Sequence, residues 1–436
     1  MPIRMNHRAL VAAAGGSAVI TLIAGQAIAA PAWGPVHVFA PPGRAGAFGP
    51  LVVANDRGDA AVVWVDRVSG RVRVAQRPAG HGWRSAATVS PPKLAAEDEQ
   101  VAIDPRGDEV AVWDAFDGQH ELMQAATRRA GHGWGDPATL GSLAPGNPAR
   151  PQVAIDAEGA ATVVWRSGAG AAGRIQMVHR TAAGHWGRKV RLPESGPSTV
   201  DPDIAVDAKG NAVVAWQRIL GTGTAAIQVT RHRLGRPWSV PHTVSTESDD
   251  SEGVQVASDA RGDAVVIWRS CSADASTCGV QAARRPAGGG WHSPATLSAT
   301  GQNTIDPHLA LDARGDAMVT WDRVLEGVSE GVEMARHGAR GAWHGPVLLD
   351  GAGWSSAVAL DARGDAVVTF QITGDPDQID TMRRPHDGSW SAPVRLSTAR
   401  ATGSSVASDA RGDAIAVWQQ TSSDQTQIAA RIRPAQ

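Results

Sequence analysis

Five polar residues stand at matching points of a repeating chain: Gln100, Gln152, Asp203, Gln255 and His308. Amides, a carboxylate and an imidazole brought to one mouth could hold a glycan, a peptide or a small polar molecule through paired donors and acceptors. Residues just after a recurrent tryptophan add a second polar tier, Asp114, Arg166, Arg218, Arg269 and Asp322. Several of the loops that lead from a fourth run into the next first run are acidic, in Glu97-Asp98-Glu99, Asp201-Pro202-Asp203 and Glu247 to Glu252. Those carboxylates admit a second chemistry, polysaccharide hydrolysis or elimination, with Asp203 and Glu99 paired and His308 as acid or base. A blander reading leaves the polar residues hydrating an empty channel. All of these need a frame that gathers residues about fifty positions apart.

The frame is written as a repeat. An aspartate, a glycine three residues later and a tryptophan six after that recur in Asp104…Gly107…Trp113, Asp156…Gly159…Trp165, Asp207…Gly210…Trp216, Asp259…Gly262…Trp268, Asp312…Gly315…Trp321 and Asp409…Gly412…Trp418. Two further copies deviate: Asn55 opens the first (Gly58, Trp64) and Phe370 closes the seventh (Asp361, Gly364). The eight glycines are 49, 52, 51, 52, 53, 49 and 48 residues apart. One supersecondary unit is therefore copied along the chain.

Each unit holds four short β-type runs, shown by Gln255-Val256-Ala257-Ser258, Ala264 to Trp268, Val280 to Arg284 and Trp291 to Leu297. β-branched residues fill the runs and Gly, Pro and Asp separate them, with no room for a substantial helix. Four strands per unit in eight units predict an all-β, eight-bladed β-propeller of antiparallel blades. Alanine at the centre of the first run (Ala54, Ala102, Ala154, Ala205, Ala257, Ala310, Ala359 and Ala407) suits the crowded axis. Two large aromatics per unit suit the layer between blades. A β-solenoid is the competitor, and neither end reads as a cap. Residues Trp33 to Phe39 form an isolated fourth strand, and the chain finishes after a third strand, Ile428 to Arg433. Pairing the two completes the last blade and leaves no open edge.

The run Ile204-Ala205-Val206-Asp207-Ala208-Lys209-Gly210-Asn211-Ala212-Val213 resembles bacterial propeller repeats of the NHL and related classes. The resemblance covers about a third of each unit and implies the propeller, while the activity stays open. The tryptophan-rich fourth strand departs from that pattern.

Several tempting motifs have structural explanations. The aspartate before each turn can bond its own backbone while glycine takes a positive φ; calcium would need six to eight oxygens. Six of the turns spell Arg-Gly-Asp, yet Glu158-Gly159-Ala160 and Lys209-Gly210-Asn211 fill the same frame, so adhesion is discounted. The glycine string Gly168 to Gly173 precedes a strand and lacks the βαβ unit of a dinucleotide site. A sialidase resembles this chain in its tryptophans and aspartates, but sialidases use a tyrosine nucleophile and the chain has no tyrosine. No HExxH motif occurs, and no nucleophile elbow is assigned. No catalytic residue, metal or cofactor is assigned.

Residues 1–29 read as a signal peptide, with Arg4 and Arg8 before an apolar stretch and Ala27-Ile28-Ala29 at its end; retention as an anchor is the alternative. Residues 30–436 then form one domain of a secreted protein, read as a monomer without a membrane span. Loss of the two arginines takes the formal charge from −2 to −4, which gives nucleic acid no electrostatic hold. Cys271 and Cys278 are expected to pair as a disulfide at a loop base. The leading reading is a non-catalytic binding protein for an extracellular glycan, peptide or protein, using the face that carries the variable loops. Replacing Gln152, Asp203 and His308 together by alanine should abolish binding and leave the melting temperature nearly unchanged.

Overall fold

The computed structural model describes residues 32–39, 47–92, 94–143, 149–168, 172–192, 198–221, 223–247, 249–272, 274, 276–339, 341–422 and 425–435. The leader segment 1–29 lies outside them. Eight four-stranded antiparallel sheets follow one another, and the described residues hold no helix. The first strands are Ala47–Ala54, Ala95–Ile103, Gln152–Ile155, Thr199–Val206, Asp250–Ser258, Asn303–Leu311, Gly353–Leu360 and Arg400–Ser408, in blades 1 to 8. Each lies against the first strands of both neighbours, blade 8 against blade 1 included. The ring is therefore closed, an eight-bladed β-propeller.

Its seam is held from two sides. His37–Phe39 pairs with the third strand of blade 8, Phe39 opposite Ile428, and the Gly34 N–H donates to the Ile432 carbonyl at 2.8 Å. Phe39 also packs on the first blade, its ring centre 5.5 Å from that of Trp64 and 4.9 Å from that of Trp83. One strand thus ties both ends of the chain to each other.

The recurrent aromatic fills each gap between blades. Trp113 packs with Ala61, Val63 and Val74 of blade 1, Trp268 with Ala215 and Val229 of blade 4, and Trp418 with Val367 and Ile379 of blade 7. Phe370 takes this role between blades 6 and 7, against Val332. All eight rings are fully buried, and each contributes roughly 4–6 kcal/mol of transfer free energy before entropy is counted. The fourth-strand tryptophans Trp83, Trp134, Trp186, Trp238, Trp291, Trp343, Trp390 and Trp33 cover the outer ends of the same gaps.

The Asp-x-x-Gly turns make one face of the disc, here the turn face. In every blade the first residue's Oδ1 accepts the N–H groups two and four positions on, as Asp207 does from Lys209 and Asn211 at 2.9 Å each. In six blades its Oδ2 lies against the glycine of the next blade: a Cβ on Gly262 would sit 2.9 Å from Asp207 Oδ2, and one on Gly58 2.7 Å from Asp409 Oδ2. Glycine is required there for its positive φ, +92° at Gly262, and for this approach. Arginines of the Arg-Gly-Asp turns bond the next turn's carbonyl, as in Arg261 to Arg314, Arg314 to Arg363 and Arg363 to Arg411. The closing aspartates accept the N–H that opens the same blade's third-to-fourth turn, for example Asp108 from Ala130 at 2.8 Å and Asp263 from Ala287 at 2.6 Å. Every member of the tripeptide has a structural task.

Three expectations shift in detail. The fourth strands are mostly two residues long, such as Ala295–Thr296. The small-residue position of blade 1 is Val53, opposite Ala61, with Ala54 one place further on. The acidic runs at 97–99, 201–203 and 250–252 lie within extended first strands rather than in loops.

Candidate functional site

The first strands bring the five sequence-selected residues together. Each stands four positions before the turn aspartate (or Asn55), completing an axial tier of Leu51, Gln100, Gln152, Asp203, Gln255, His308, Ala357 and Ser405. These eight share one register point, opposite Val63, Val112, Val164, Ala215, Ile267, Thr320, Thr369 and Val417 of the second strands. Gln100, Gln152, Asp203, Gln255 and His308 all line one axial cavity of about 560 Å³ walled by blades 1 to 6.

Two of the five also fasten the ring. Asp203 Oδ2 accepts the Val256 N–H of the next blade at 2.7 Å while Oδ1 accepts its neighbour Ile204 N–H at 2.8 Å. Gln255 Oε1 accepts the Leu309 N–H at 3.1 Å, and its Nε2 donates to the Pro307 carbonyl at 2.9 Å and lies 3.5 Å from His308 Nδ1. Ser405 repeats the device at the seam, accepting the Val52 N–H at 3.3 Å. The alanine substitution of Asp203 would therefore orphan two backbone donors, one of them in another blade. A binding variant that spares the fold must leave Asp203 in place, contrary to the expectation from sequence. The side chains of Gln100 and Gln152 make no hydrogen bond among the described residues and keep their amides open to the cavity.

A feature missed in the sequence shapes the rim. Two positions before each axial residue, the backbone turns left-handed in all eight blades: Gly49, Asp98, Arg150, Asp201, Gly253, Asp306, Ser355 and Gly403 have φ between 44° and 63°. The pairing register shifts at this point in seven blades, the mark of a β-bulge that re-aims side chains. Arg150, Asp201 and Asp306 are thereby set on the cavity wall. Arg150 Nη1 and Asp201 Oδ1 meet at 2.8 Å across blades 3 and 4. The recurrence of Gly or Asp six residues before the turn was the available signal.

Burial moves the titrating groups toward neutrality. It raises the Asp203 carboxyl to about 6, against the two N–H bonds that favour its anion, and lowers His308, partly opposed by Asp306. Glu99 is raised to about 7, again by burial. Glu99 lines a different cavity, of about 690 Å³, with Arg67 and Gly70 between blades 1 and 2. Asp203 and Glu99 are thus kept apart, and the proposed carboxylate pair is not assembled in one cavity.

The second tier does not line the axial cavity either. Asp322 Oδ2 accepts the Ser355 N–H at 2.6 Å, Asp114 accepts from Ala149, and Arg269 Nε donates to the Thr304 carbonyl at 2.6 Å. Each partner stands at the next blade's left-handed position or within two residues before it, so these residues brace that bend. Arg166 lies in the field of Asp201 in the same way. Arg218 is one position out of step: it stands opposite Thr199, whereas Gln217 occupies the tier opposite Val200. Successive strand residues face opposite sides, so Arg218 points away from the others.

Cys271 and Cys278 are joined, with 3.9 Å between Cα atoms, as directly opposed residues of the second and third strands of blade 5. The bridge closes the base of the 272–277 loop, as expected. No helix among the described residues is long and apolar enough to cross a membrane.

No known protein family and no curated protein matches the sequence. Solved structures do. The chain is similar to the BP39L lectin from Burkholderia pseudomallei, at 14% identity and a TM-score of 0.56 over 80% of this chain and 99% of that one. It is also similar to an ulvan lyase from a new polysaccharide lyase family, at 12% identity and a TM-score of 0.52 over 90% and 94%. The same lyase bound to a sulfated glucuronyl-rhamnose unit aligns at 11% identity and a TM-score of 0.51. At such identities the likeness establishes the propeller fold.

Proposed function

We propose that the chain is a secreted, non-catalytic propeller that binds a carbohydrate in its axial cavity, on the face opposite the Asp-x-x-Gly turns. The observation carrying this reading is the convergence of Gln100, Gln152, Asp203, Gln255 and His308 on one cavity of about 560 Å³. Two of these amides have their donors and acceptors unspent, and Arg150, Asp201 and Asp306 add charged acceptors and donors at the rim. Glycan hydroxyls need such mixed partners, and a rigid closed frame avoids the cost of ordering them on binding. Export is supported by the leader-like segment and by the disulfide, which suits an oxidising compartment. The likeness to NHL-type repeats belongs to the same reading.

One observation favours a second reading, a polysaccharide hydrolase or lyase. Asp203 and His308 titrate toward neutrality within the same cavity, as acid and base catalysts do. A glycan array combined with a product-release screen over polysaccharides at pH 5–8 separates the two. Saturable binding without product release supports the binding protein. Release that is lost on His308→Ala substitution supports the enzyme, and neither signal removes the site.

A further inference from the structure

Between blades 4 and 5, on the turn face, lies a cavity of about 390 Å³ bordered by Lys209, Arg231, Arg233, Arg261 and Arg285, with Asp207 as its one carboxylate. The repeat itself shows why this gap is cationic. In six blades the residue after the turn glycine is aspartate; blade 4 has Asn211 and blade 3 Ala160. In blade 7, Arg383 pairs with that aspartate, Asp365, at 2.6 Å. Its counterpart in blade 4, Arg231, lines the cavity with Asn211 instead, and among the described residues its guanidinium donates to the Gly289 carbonyl alone, at 3.3 Å.

The facing arginine is equally uncompensated. Arg285 is 7% exposed and its Nη1 donates to the Gly262 carbonyl at 2.9 Å, while its buried Nε has no partner. The counterpart in blade 2, Arg128, meets Glu109 at 2.8 Å; Arg285 forms no ion pair among the described residues. Asp207 offers little relief. Its Oδ1 holds two turn N–H groups and its Oδ2 accepts the Asn211 Nδ2 at 2.7 Å. Asp263 is occupied by the Ala287 N–H. Asp263 and Asp207 act on Arg285 less strongly than Arg231 and Arg233 do, and a buried guanidinium so under-compensated is costly unless something supplies negative charge.

We propose that this gap is an oxyanion site, taking sulfate or phosphate either free or as an ester on a larger molecule. The planar guanidinium forks of Arg231 and Arg285 fit paired oxyanion oxygens, and Lys209 adds a mobile point charge at the entrance. The site is separate from the axial cavity and stands or falls independently of carbohydrate binding there.

The test is calorimetric titration of the full chain with sodium sulfate and with sodium phosphate, against sodium chloride at equal ionic strength. Saturable heat with either oxyanion, absent with chloride, is expected. Asn211→Asp installs the residue six other blades carry, so the fold tolerates it, and one added like charge should weaken binding by about tenfold. Lys209→Ala, at an exposed position, should weaken it about threefold. A chondroitin tetrasaccharide with and without its sulfate groups identifies the source: binding of the sulfated form assigns an ester, and binding of the inorganic ion alone assigns the free anion. No oxyanion-specific heat, or equal affinity in wild type and Asn211→Asp, overturns the proposal.

Discussion

At the scale of single residues, carboxylates are used here as backbone acceptors far more than as charges. Asp322 shows what this costs: it is fully buried, one oxygen accepts the Ser355 N–H, the other has no partner, and burial raises its carboxyl to about 7. The folded state therefore holds a proton that the unfolded chain, with an ordinary pKa near 4, releases. The sign follows from linkage: the contribution is fully present below about pH 4 and is lost as pH rises through about 7. Asp322→Asn keeps an acceptor and removes the charge. It should leave stability nearly unchanged at pH 4 and raise it by roughly 1–3 kcal/mol at pH 8, as read by urea unfolding at both pH values. Gly262→Ala should do the reverse at any pH. Its φ of +92° and its approach to Asp207 Oδ2 predict a loss of about 1–3 kcal/mol, measured the same way.

At the scale of elements, the axial tier was legible because a fixed offset from the turn aspartate, combined with the two-residue period of a strand, puts one residue per blade at the same height. The bulge beside it was missed, because its signal is divided between residue types. Its eight positions hold three glycines, three aspartates, an arginine and a serine, a mixture in which no single residue type recurs in every copy. Nor could the sequence show that Asp203 is spent on a backbone N–H, since the partner, Val256, is 53 residues away. The offset of Arg218 has a similar origin: side chains alternate across a strand, so a position displaced by one residue changes face. If the left-handed bulge is a requirement of the frame, Ser355→Gly should stabilise the protein by about 0.5–1 kcal/mol, since glycine takes that φ without a Cβ penalty. A destabilised variant in urea unfolding would show that Ser355 does more than tolerate the bend.

At the scale of the whole molecule, closure is what turns eight local rules into one cavity. Phe39 is shared between the last blade's hydrogen-bond ladder and the aromatic cluster of the first. Deleting residues 30–39 should expose the third strand of blade 8 as an open edge, and light scattering should find dimers or larger species where the intact chain gives a single one. The closed ring also separates two faces of different chemistry, so each can be altered without the other. That separation frames the most direct measurement. Once the glycan array supplies a ligand, its affinity is titrated for wild type, for Gln100→Ala/Gln152→Ala/His308→Ala, and for Asn211→Asp as a control on the opposite face. At least a tenfold loss is expected in the triple variant, with an unchanged affinity in Asn211→Asp and melting temperatures that agree among all three. Undiminished glycan affinity in a folded triple variant would contradict axial binding.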